Sequence, residues 1–93
     1  MKTIVGMVTP HVLRVMDLAN QAENGVNVDW HVRDAVARTL ADLREQFNAR
    51  DLLAAYVHGL ESAAADAGPG RRAYANLLKT AAALAARELE ERG

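Results

Sequence analysis

The stretch VNVDWHVRDAVARTLADLREQF, residues 26–47, decides how the chain is read. Val32, Val36, Leu40, Leu43 and Phe47 recur at spacings of four and three, the period of one helix face. Asn27 can cap such a helix, because its side-chain oxygen can accept a backbone N–H from the first turn. Asp29 in that turn suits the positive end of the helix dipole. Arg33, Asp34, Arg38, Asp42 and Glu45 form the polar face, and Arg38 is four residues from both Asp34 and Asp42. The expectation is a core helix over residues 28–47.

Trp30 does not fit that stripe. It projects about 120° from the centre of the stripe, near Ala37 and Ala41. Two readings follow. Either another segment of the chain covers the indole, with residues 1–8 the nearest at hand, or the indole anchors an interface, where Trp is enriched.

Outward from this stretch, Thr9-Pro10 reads as the start of a helix over residues 10–23, since Thr caps and Pro suits the first helical position. Val12, Val15, Met16 and Ala19 share its face, and Asn24-Gly25 ends it. Residues 1–8 then form a short N-terminal arm, extended or at most an opening helical turn. Asn48, with Asp51 three residues on, restarts the chain as a helix over residues 49–67. Its apolar face is wide: Leu52, Leu53, Tyr56, Val57, Leu60, Ala63 and Ala64. Gly59 sits on that face at a cost of about 1 kcal/mol against Ala, so it implies close approach of another helix.

Gly68-Pro69-Gly70 is the clearest turn. A helix over residues 71–91 follows, with Tyr74, Leu77, Leu78, Ala81, Leu84 and Ala85 facing the core. Ala75, Ala82 and Ala86, with Leu89, form a second stripe of mostly small residues. Arg71 and Arg72 begin this helix and Glu88, Glu90 and Glu91 end it, both against the dipole. An antiparallel neighbour would offset this by setting Glu61 and Asp66 beside the arginines and Arg50 beside Glu88 or Glu91. A second copy of the same helix would do so too. Glu88 projects onto the apolar face and calls for a basic partner, with Arg14 or Arg50 as candidates.

The sum is an all-α fold: a compact bundle of four helices in a single domain spanning residues 1–93. The chain has 93 residues, 51% hydrophobic and 25% charged, which is globular in character. Aromatics are only 4%, so Ala, Leu and Val must make the core. With no cysteine, disulfides and thiolate metal sites are excluded. No run approaches the roughly 18 apolar residues of a membrane span, and Pro10, His11 and Arg14 interrupt any signal-like start, so a cytoplasmic protein is expected. Richness in Ala, Arg and Gly with little Lys, Ile or Phe fits a GC-rich bacterial or phage source.

Chemistry-bearing residues are sparse. His11, His31 and His58 do not pair at helical zinc spacing, so no metal or cofactor is expected. Ser62 is the only serine; His58 lies four residues upstream, but a mid-helix backbone offers no oxyanion hole. Gly68-Pro69-Gly70-Arg71-Arg72 is an anion site in principle yet lacks the rest of a P-loop. Residues 39–48 have the flavour of the first helix of a helix-turn-helix. The would-be recognition helix, ARDLLAAYVHGL, is too apolar for a major groove, and the net charge of −1 calls for no nucleic acid. The leading expectation is a non-enzymatic helical protein that acts by binding another protein, as a regulator or inhibitor, or as a homodimer. Its working surfaces would be Trp30 with Ala37 and Ala41, and Ala75, Ala82 and Ala86. The alternative is a DNA-binding, transcription-regulating module with a degenerate helix-turn-helix.

Overall fold

The computed structural model describes residues 3–92. It has four α-helices: α1 Ile4–Glu23, α2 Asp29–Arg44, α3 Ala49–Ala65 and α4 Arg72–Arg92. No strand occurs among the described residues. The all-α bundle is therefore as expected, and most boundaries fall within a few residues of the sequence reading.

The N-terminal arm is a correction. Residues 4–9 are helical, and α1 begins six residues before Pro10; residues 1 and 2 of the expected arm lie outside the described residues. Thr3 is the cap, accepting the Gly6 N–H on its hydroxyl at 2.9 Å. Thr9 caps nothing; its hydroxyl donates to the Val5 carbonyl at 2.7 Å. A proline inside a helix costs about 3 kcal/mol. What offsets it is tertiary: Val8, ahead of Pro10, is buried in line with Val12, Val15 and Ala19. Extending the helix by six residues adds one more core position to that face.

The hub of the fold is α3 with α4 rather than the helix expected over residues 28–47. α3 packs most extensively on α4, and α1 lies across both. α2 touches all three other helices more lightly. Leu52, Leu60 and Leu78 are fully buried at the centre, each stabilising the fold by about 1.5–3 kcal/mol. The wide apolar face of α3 thus has the two neighbours its width implied. α2 contributes Val32, Ala35, Val36, Thr39 and Leu43 from one side. It ends at Arg44, three residues short of Phe47, which is fully exposed. The Val32–Leu43 stripe is real, but Phe47 leaves it because the chain turns at residues 45–48.

Gly59 does what its position implied. A Cβ built on it would lie 2.9 Å from Val12 Cγ2, so α1 and α3 approach closely there. The other demanding glycines lie in turns: Gly25, Gly68 and Gly70 have φ of 88°, 77° and 84°, which L side chains disfavour. The capping box expected at Asn48 is absent, since Asn48 makes no side-chain capping bond to α3.

Candidate functional site

The outer face of α2 is built from its first turn. Val28 is buried and anchors the helix start. Asn27 accepts the Asp29 N–H on its side-chain oxygen at 3.2 Å, one residue before the formal cap. With Val28 and Val32 turned inward, the helical period turns Trp30 outward. Trp30 is 69% exposed, and its ring stands nearly perpendicular to that of His31, with centroids 5.6 Å apart. Ala37 and Ala41 on the same face are also exposed. The indole is left largely in water. The face is bordered by two intrahelical ion pairs, Arg38–Asp34 at 2.9 Å and Arg33–Asp29 at 3.9 Å. Both are exposed and hold geometry more than they add stability.

The second expected surface is different. Ala82 is buried in the core, and Ala75 and Ala86 are half-buried against it. α4 packs against three helices, so its small-residue stripe is spent within the molecule, and the fold does not leave it as a free face. The charges at its ends are also answered otherwise than expected. Arg71 donates to the Asn20 side-chain carbonyl at 2.8 Å and lies 3.8 Å over the Tyr74 ring, which ties α1 to the start of α4. Glu88 pairs with Arg44 at the end of α2, not with Arg14 or Arg50. Arg44 was hard to find from sequence because it lies 44 residues away and on a helix of unknown direction.

A shallow cleft of about 490 Å³ opens at the start of α4, lined by Gly68, Pro69, Gly70, Arg71, Arg72, Ala75, Asn76 and Lys79. It is cationic, with Arg71 already held by its neighbours.

A polar seam was missed by the sequence reading. Thr39 on α2 is the one buried polar residue of the core among the described residues. Its hydroxyl lies 3.3 Å from His11 Nδ1 of α1, and the His11 ring meets Tyr56 of α3 edge-on at 6.4 Å. The Tyr56 hydroxyl is buried without a hydrogen-bond partner. Burial pushes its pKa from 10.0 up to about 12; the nearby Thr39 hydroxyl and the Arg14 charge oppose that shift without cancelling it. The signal available in the sequence was a Thr on the α2 core stripe, one residue from Leu40. It does not say which residues of other helices meet it.

His58 Nε2 lies 3.5 Å from Ser62 Oγ on the exposed side of α3, a weak contact with no oxyanion donors at mid-helix. Among the described residues no three metal-ligating side chains gather, and no helix is long and apolar enough to cross a membrane. In the helix-turn-helix reading, the would-be recognition helix is α3, which buries Leu52, Leu53, Tyr56, Val57 and Leu60. What the fold and this face define is an all-α four-helix bundle with an aromatic side chain exposed on its most lightly packed helix. In comparison with known proteins, no family model matches the chain, no curated protein matches its sequence and no solved structure matches its fold.

Proposed function

We propose that this chain is a non-enzymatic binding protein that engages a protein partner through the outer face of α2, centred on Trp30 with Ala37 and Ala41. The exposure of Trp30 carries the reading. A large indole left 69% in water adds nothing to the core, whereas in an interface it supplies a rigid apolar anchor with an N–H donor. The two alanines beside it leave room for a partner helix or strand to approach. The flanking Arg–Asp pairs provide a polar rim of both signs. A regulator or inhibitor of a cellular target, working in the cytoplasm of a bacterium or encoded by its phage, is the role that suits this size and composition.

Affinity capture from the native host with wild-type and Trp30→Ala baits tests this. A partner retained by the wild type and lost by a folded Trp30→Ala variant is the expected result. Partners captured equally by both baits would remove Trp30 from the interface and with it the proposal. The DNA-binding alternative predicts salt-sensitive retention on duplex DNA, and we expect none.

A further inference from the structure

The three connections in the bundle are not alike. Those at residues 24–28 and 66–71 are locked by glycines at positive φ, with Pro69 in the second. The connection at residues 45–48, Glu-Gln-Phe-Asn, has no Gly, no Pro and no positive φ. Glu45 is in the right-handed helical region (φ −81°, ψ −9°), and the Gln46 N–H still bonds the Leu43 carbonyl at 3.1 Å. Asn48 (φ −106°, ψ 44°) departs from helix geometry and makes no capping bond that would fix the turn. This segment is a helix that has been bent, with little in its own sequence to hold the bend.

The buried residues on either side point the same way. On α2 they include Val32, Val36, Thr39 and Leu43; on α3 they include Leu53, Val57, Leu60 and Ala64. These numbers fit one alternation of four and three across the turn, with the exposed Gln46 and Arg50 at the two positions between them, while Leu52 and Tyr56 widen the buried face of α3 beside that line. That is a single heptad stripe through both helices.

We propose that the protein also forms an exchanged dimer, in which residues 45–48 straighten, α2 and α3 become one helix over residues 29–65, and the α1–α2 half of each copy packs on the α3–α4 half of the other. The surface uncovered on α3 and α4 is therefore refilled by the α1–α2 half of a second copy, which fits it by construction. Phe47, fully exposed in the closed chain, would fall next to Phe47 of the second copy where the two long helices cross, and gain cover there. The net charge of −1 puts little repulsion between copies. This does not rest on the Trp30 face, which stays on the outside in both forms.

The test uses the full chain, which has no native cysteine to interfere. His31→Cys with Ala65→Cys carries two spin labels, and the labelled chain is refolded from urea at high concentration with excess unlabelled wild type. In a continuous helix the 34 residues between the labels span about 51 Å. The closed molecule is 38 Å in its longest dimension. We expect a dimer fraction by light scattering whose intrachain distance is near 51 Å. Asn48→Ala should raise that fraction several-fold by favouring helix at the turn, and Gln46→Gly with Asn48→Gly should lower it several-fold. Circular dichroism of each variant confirms that the helices form. Exclusive monomer after refolding, or a dimer in which the intrachain distance stays that of the closed form, overturns the proposal.

Discussion

Replacing Gly59 by alanine puts the close approach of α1 and α3 to a test in which the sign of the answer matters. Helix propensity alone says that Gly59→Ala stabilises a helix interior by about 1 kcal/mol. The structure says that the new methyl lands 2.9 Å from Val12 Cγ2. Carbon atoms at optimal contact are about 3.5–4.0 Å apart, so about 0.6–1 Å must be found. Val12 is β-branched and within a helix, where essentially one χ1 rotamer is open to it, so it cannot turn aside. The helices must separate instead, and overpacking of this kind costs about 1–3 kcal/mol. The balance is a destabilisation of about 1 kcal/mol, within a range of about 0–2. In a Val12→Ala background the obstructing methyls are gone. That substitution itself costs roughly 2 kcal/mol in lost burial and cavity, and the same Gly59→Ala change should then stabilise by about 1 kcal/mol. The coupling between the two sites is thus about 2 kcal/mol. Urea unfolding followed by circular dichroism on the four proteins of the cycle measures it, with midpoint changes read at a common slope. If Gly59→Ala stabilises equally in both backgrounds, the two helices are not in contact at Val12 and the reasoning is wrong.

Three further outcomes follow from the same packing. Tyr56 is held neutral by burial, with its pKa raised from 10.0 to about 12. A raised phenol favours the folded state below the unfolded pKa, so its contribution is fully present below pH 10 and is lost as the pH climbs through about 12. The loss is on the order of 2–3 kcal/mol. Tyr56→Phe should flatten the difference between stability at pH 9 and pH 12 while leaving stability at pH 7 little changed or improved, because the buried hydroxyl it removes has no partner. Arg44→Ala leaves a mostly buried Glu88 without this partner at the α2–α4 contact. Since Arg44 is half exposed, a cost of about 1 kcal/mol is expected in chemical unfolding, with faster amide exchange in α2 than in α3. Trp30 should show the red-shifted, readily quenched emission of an indole in water. Trp30→Ala should change the unfolding free energy by no more than about 0.5 kcal/mol, and a loss above 2 kcal/mol would mean that the indole is packed.

Much of this molecule can be read from residue order alone, for reasons that are local. The number and type of the elements follow from apolar residues at helical spacing and from Gly25 and the Gly68-Pro69-Gly70 turn, where positive φ makes glycine the favoured residue. Gly59 announced a close helix contact because a glycine costs too much in a helix interior to be there without cause. Trp30 stands out because it falls off the stripe, and geometry alone separates that face from Val32 and Val36. What the tertiary structure decided are questions of neighbourhood. Thr9-Pro10 carries every local mark of a helix start, and the burial of Val8 overrides it. Phe47 fits the α2 stripe in number, yet the turn at residues 45–48 leaves it in water. Ala82 looks like a free small-residue surface until α4 is packed on three sides. Glu88 finds Arg44, and Thr39 meets His11 and Tyr56, because folding brings together positions that no spacing rule connects. A helical period fixes which residues share a face; only the packed structure says which faces meet and which one, here that of Trp30, is left open.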